Sequence, residues 1–179
     1  MGRYIALLRG INVGKAKRVA MADLRELVHG LGHSNARTLL NSGNVVFDTA
    51  RAATPARVAA ALESAVESHC GFKSAVTVVS ADALDAIVRG NVLAAEDRNP
   101  ARMLVAFVSD AATLATTKAI AAQRWDPDEF ALGPHAAYLW CASGILDSKL
   151  AQAFARATRD GATTRNWATV LKLQAMTAE

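Results

Sequence analysis

Two cysteines are all that 179 residues contain, and each stands in an apolar stretch, His69-Cys70-Gly71 and Trp140-Cys141-Ala142. No CxxC pair and no Cys/His spacing suited to zinc accompanies them, so both read as buried free thiols of a reducing, cytoplasmic compartment. Histidine is scarce too. His29, His33, His69 and His135 lie far apart, with no HExxH and no acidic partner at ligand spacing, so no metal site is expected. GxSxG and GxGxxG are absent. Aromatic residues make up only 6% of the chain, which argues against a surface that stacks nucleic-acid bases. No apolar run approaches the roughly 20 residues of a membrane helix. The early run Tyr4–Leu8 is broken by Arg9 without a small-residue cleavage site, so it reads as a strand rather than a signal peptide. Gly2 lacks the downstream Ser or Thr that myristoylation requires.

What is present is an ordinary globular balance, 52% hydrophobic and 20% charged with mean hydropathy +0.16. That length makes one domain or two small ones, and removes roughly two-thirds of the chain's surface from water on folding. The net charge is +4, unevenly spread. Residues 1–80 carry ten Lys/Arg against five Asp/Glu, whereas residues 81–179 carry ten against eleven. Four of the cations, Arg9, Lys15, Lys17 and Arg18, fall in one short stretch. A solvated charge run and an anion-attracting patch are both open readings of it.

Along the chain, Tyr4–Leu8 reads as a buried strand that runs into the glycine-rich stretch Arg9–Lys15. Met21, Leu24, Leu27, Val28 and Leu31 recur at helical spacing and Gly32 stops the helix. Thr38–Leu40 and Val45–Phe47 flank Asn41-Ser42-Gly43-Asn44, a hairpin signal. Thr54 with Pro55 opens a helix whose buried stripe is Val58, Leu62 and Val66, ended by Gly71. A β-branched strand follows at Ala75–Val79, giving β-α-β-β-α-β. The order nearly repeats after residue 80. A connecting helix carries Leu84, Ile87 and Val88; a strand follows at Met103–Val108, then a helix through Leu114 and Ile120. A hairpin at Phe130–Leu132 and Tyr138–Cys141 precedes a helix with Leu150 and Phe154. The last segment, Arg165–Leu173, fits a helix face, with a final strand as the alternative. The expected fold is therefore α+β: tandem ferredoxin-like halves, residues 1–80 and 81–179, packed together. Each has an antiparallel sheet, and the second, incomplete half ends in a helix. The open sheet faces are to be covered by each other or by the connecting helices.

Four stretches carry a family resemblance: Leu7-Leu8-Arg9-Gly10-Ile11-Asn12-Val13-Gly14, Ser42-Gly43-Asn44-Val45-Val46-Phe47, Ser148-Lys149-Leu150 and Thr164-Arg165-Asn166-Trp167. In this order and spread over nearly the whole chain, they resemble the signatures of DUF1697, a bacterial family of unknown function. The resemblance implies the tandem ferredoxin-like architecture and no particular activity. One position departs from it: family members usually have a second glycine where this chain has Lys15.

Read physically, Gly10-Ile11-Asn12-Val13-Gly14-Lys15 is not a P-loop. Three residues rather than four separate the glycines, and Ala16 stands where a magnesium-binding hydroxyl would be. A glycine-rich turn after a strand still aims backbone N–H groups at an anion, with Arg9 and Lys15 adding charge. Ser42-Gly43-Asn44 reads as a turn or a site edge, and Arg165-Asn166-Trp167 as a helix cap or a second anion clamp. Ser148 reads as the cap of the helix that Lys149 begins. The leading expectation is binding, with or without turnover, of an anionic small molecule such as a nucleotide or phosphorylated metabolite. Arg9, Asn12, Lys15 and Arg165 lead the candidate residues, with Asn166, Trp167, Ser42, Asn44 and Lys149 beside them. Arg9 and Arg165 are expected to meet in one cleft between the halves, where an anion would offset their repulsion. The competing expectation is a nucleic-acid or protein-interaction module using the basic first half. Neither a catalytic set nor a cofactor is implied, and the oligomeric state stays open.

Overall fold

The computed structural model describes residues 2–50 and 53–179. The chain forms two compact units: the first runs to Asp82 and takes in Leu173–Glu179, and the second is Ala83–Lys172.

The first unit contains β1 (Gly2–Leu8), α1 (Met21–Gly30), β2 (Ser34–Leu39), β3 (Asn44–Thr49), α2 (Pro55–Cys70) and β4 (Val76–Ser80). Its sheet has the order β2-β3-β1-β4 with antiparallel neighbours, so the first and third strands are central, as the split β-α-β-β-α-β motif requires. Ala6 and Leu8 on β1 and Val45 and Phe47 on β3 face Leu24 and Val28 of α1 and Val58, Leu62 and Val66 of α2 in one core cluster. Ile5, Leu7 and Val46 point to the opposite face and are buried as well. Burial on both faces explains why β1 and β3 are continuous apolar runs rather than alternating ones. Local signals place α2 as the sequence indicates. The Thr54 hydroxyl accepts the Arg57 N–H (3.3 Å), Pro55 takes the first turn, and Gly71 closes the helix at φ +77° with its N–H on Glu67 O.

The second unit contains most of α3 (Ala81–Arg89), then β5 (Met103–Val108), α4 (Ala111–Thr116), α5 (Lys118–Ala121), β6 (Glu129–Leu132), β7 (Ala136–Trp140), α6 (Lys149–Thr158), β8 (Ala162–Asn166) and the start of α7 (Trp167–Ala178). Its order β6-β7-β5-β8 repeats the first sheet's topology. Leu104, Ala106 and Leu139 pack on Leu150 and Phe154 of α6. On the other face the buried Tyr138 hydroxyl donates to Ile87 O of α3 (2.7 Å), so a connecting helix does cover this sheet.

Two features differ from the sequence reading. The helix expected through Leu114 and Ile120 is two short ones, because buried Thr117 turns its hydroxyl and its N–H back onto Leu114 O (2.6 and 3.2 Å). The second half is also not incomplete: β8 pairs with β5 from Leu104↔Asn166 to Val108↔Ala162 before α7 begins. The strand and helix readings of the last segment are both realised, in succession. The switch is local, since the Asn166 side chain accepts the Thr169 N–H (2.9 Å) and caps α7.

Candidate functional site

The motif stretches at residues 8–18 and 41–44 build one structure. Beyond β1 the chain takes positive φ at Gly10 (+66°), Asn12 (+54°), Gly14 (+63°) and Lys17 (+50°), a tightly folded loop. Its base is tied down at several points. Ser74 donates its hydroxyl to Arg9 O (2.9 Å), and Arg9 N–H donates to Ala75 O (2.9 Å). The Asn12 amide donates to Val19 O (2.9 Å) and Asn41 O (2.7 Å), while its oxygen accepts Val19 N–H (2.9 Å). Asn12 N–H closes the loop on Lys17 O (3.0 Å). Gly43, at φ +86°, lies directly on this base: a Cβ there would stand 2.8 Å from both Leu8 Cβ and Ile11 Cδ1. Buried Asn44 donates to Leu39 O (2.8 Å) and Ser42 Oγ (2.9 Å), which fixes the β2–β3 turn.

Of the candidate residues here, Asn12 and Asn44 have their side chains engaged with the chain's own groups. The tip of the loop is different. Val13, Gly14, Lys15, Ala16, Lys17 and Arg18 are exposed, and the N–H groups of Val13, Gly14 and Lys15 make no hydrogen bond among the described residues. Lys17 Nζ lies 3.4 Å from Lys73 O, bringing exposed Lys73 to the same patch. No acidic residue occurs between Leu8 and Met21.

In the second unit, Ser148 is a buried N-cap. It accepts Ala151 N–H (2.9 Å) and donates to Asp128 Oδ2 (2.7 Å), while Asp128 Oδ1 accepts Ala142 N–H (2.8 Å). Lys149 is exposed on the first turn of α6. Arg165 lies on β8 with a guanidinium N–H on Thr164 O (2.9 Å), and burial pushes its pKa down to about 10. Asn166 caps α7, and half-buried Trp167 is that helix's first residue. Arg9 belongs to the first unit and Arg165 to the second. Both cysteines are free thiols, and burial raises the pKa of each. Among the described residues no group of His, Cys, Asp and Glu is placed to hold a metal ion, and no helix is long and apolar enough to cross a membrane.

A set of residues outside every motif lines an open pocket of about 490 Å³ in the first unit: Arg3, His29, Asn35, Ala36, Arg37 and Glu179. Arg3 Nε donates to Asp48 Oδ1 (2.7 Å), and Asn35 Nδ2 to Asp48 Oδ2 (2.9 Å). The Arg3 hydrogen bond, then that of Asn35, holds the Asp48 carboxyl below its ordinary range. Arg3 also donates to Thr177 O (2.9 Å) and Arg37 to Met176 O (2.6 Å), so two strand arginines bond the end carbonyls of α7. Isolated charges in β2 and β1 give no sequence signal for this pocket. Only the sheet register assembles it.

The family described as "Protein of unknown function (DUF1697)" matches residues 1–138. Solved structures that match include a conserved bacterial protein from Streptococcus pneumoniae, 23% identical, with a TM-score of 0.73 over 98% of each chain. At that identity the likeness shows the fold alone. No curated protein matches the chain.

Proposed function

We propose that this chain, which belongs to the DUF1697 family, binds a phosphate-bearing small molecule such as a nucleotide or phosphorylated metabolite on the loop of residues 9–18. The observation that supports this reading is a loop base fixed by Asn12, beneath a tip that offers unbonded N–H groups among Lys15, Lys17 and Arg18. Alternating positive and negative φ make such a run of N–H groups concave toward an anion. Magnitudes decide which contacts matter. An exposed ion pair contributes up to about 1 kcal/mol, whereas a hydrogen bond to a charged group contributes about 1.5–3 kcal/mol. The backbone conformation therefore outweighs any single lysine. Binding rather than turnover is the reading, because residues 9–18 include no His, Asp, Glu, Ser, Thr or Cys to act as base or nucleophile.

The test is thermal shift and calorimetry with inorganic phosphate, nucleotides and sugar phosphates. Lys15→Ala is expected to weaken binding a few-fold. Gly14→Ala keeps every charge but strains a position at φ +63°. It is expected to weaken binding more than tenfold while costing stability no more than about 1–2 kcal/mol, that of a left-handed backbone, since open space surrounds that glycine and adds no clash. Equal effects of the two substitutions would sink the backbone-nest reading. If only nucleic acid binds, with affinity falling steeply with salt in proportion to the phosphates contacted, the basic first half is an electrostatic face instead.

A further inference from the structure

We propose that the pocket lined by Arg3, His29, Asn35 and Arg37 is a binding site for a small carboxylate-bearing molecule, whose place on Arg37 the Glu179 side chain holds until displaced. This site is separate from the loop of residues 9–18 and stands on different observations.

The pocket is shaped by an irregularity in β2. Pairing with β3 steps from Ser34↔Asp48 to Arg37↔Val46, so two residues of β2 lie opposite one of β3, a β-bulge with Asn35 at φ +54°. A bulge interrupts the ladder and re-aims side chains, and such irregularities gather next to sites. Here the bulge turns Asn35 onto Asp48 and sets Arg37 on the pocket wall. Arg37 is held there by its bond to Met176 O, which leaves another edge of its fork to the Glu179 carboxylate. A planar, fixed guanidinium is the side chain best suited to take a carboxylate.

Charge selects the ligand. Arg3 is matched by Asp48, whose side chain is only 9% exposed and accepts two Arg3 N–H groups (2.7 and 3.3 Å). Arg37 also feels Asp48 electrostatically, but among the described residues its direct ion pair is with Glu179, whose side chain is 65% exposed. With Glu179 swung away, Arg3, Arg37 and Asp48 leave one net positive charge, the complement of one carboxylate. His29 and Asn35 add hydrogen-bonding groups for the rest of the molecule. The Arg37–Glu179 pair is also weak enough to yield. Exposed ion pairs favour their closed form by a factor of about five at most.

The probe is glutamate blocked as N-acetyl-glutamate amide, which carries the carboxylate and no other charge. It is titrated into the ¹⁵N-labelled full chain, with the uncharged N-acetyl-glutamine amide as control. The expected result is saturable shifts at His29, Ala36 and Arg37, absent with the control. Glu179→Gln, which removes the internal competitor, should lower the dissociation constant about three- to fivefold, and Arg37→Lys should raise it about tenfold. The same spectra show whether each variant is folded, and if Arg37→Lys is not, the Glu179→Gln contrast decides alone. Shifts confined to other residues, no saturable shift, or equal affinity with and without the Glu179 charge would each overturn the proposal. Gly14→Ala should leave these shifts unchanged, so failure of the loop reading and failure of this one are told apart.

Discussion

At the scale of single residues, the polar motifs show how a short side chain sets a loop. Asn12 satisfies a backbone donor and two backbone acceptors on two segments, and Asn44 does similar work inside the β2–β3 turn. The Asn12 amide carries the shape of the loop and the Asn44 amide that of the turn packed on its base, while the charged residues at the loop's tip carry its chemistry. Gly43 is the position that joins the two segments. Its φ of +86° disfavours any side chain, and a Cβ would meet Leu8 and Ile11, both buried. Gly43→Ala should therefore cost about 2–5 kcal/mol, from about 1–2 for the left-handed backbone and about 1–3 for overpacking. Chemical denaturation measures it. A loss below about 1 kcal/mol would mean that the loop and turn separate without strain.

At the scale of elements, caps and stops were the most legible features, because each acts within a few residues of sequence. Thr54, Gly71 and Ser148 all stand where their residue types indicate. The structure adds a difference between two caps of the same chemistry. The Thr54 cap bonds one exposed N–H, whereas Ser148 is 2% exposed and also donates to the buried Asp128 carboxylate. Thr54→Ala should cost about 1 kcal/mol, an ordinary cap loss. Ser148→Ala should cost about 2–4 kcal/mol, because it additionally strips a buried acceptor of its partner. Equal losses in the two variants would show that water replaces the Asp128 bond. The elements that were misread lie where local signals compete. Thr117 splits a helix by back-bonding, and β8 passes into α7 within one residue, so a single window over residues 165–173 mixes two periods.

At the scale of the whole molecule, the chain repeats one topology in two units, and each unit carries one thiol as a reporter. Cys70 is half-buried and Cys141 fully buried, and burial disfavours the thiolate of both. Since the thiolate is the reactive form, an aromatic disulfide reagent should label the native protein slowly at Cys70 and leave Cys141 unmodified until the second unit unfolds. Peptide mapping after timed labelling checks this, and rapid modification of Cys141 in the native protein would contradict its burial.

The sequence by itself determined the element order of the first half, the caps and the α+β class, because hydrophobic periodicity and turn chemistry act over a few neighbouring residues. It also marked Arg9–Arg18 as a basic, glycine-rich loop. Only the tertiary structure decided that Asn12 holds that loop, and Asn44 the adjoining β2–β3 turn, rather than facing outward, since their partners at Asn41, Val19 and Leu39 are set by the folded backbone. The Arg3–Arg37 pocket was likewise invisible. Its residues are scattered from Arg3 to Glu179, and a one-residue bulge in β2 together with the return of α7's last turn is what places them side by side. Register and long-range return are properties of the folded sheet, and no local pattern in the chain encodes them.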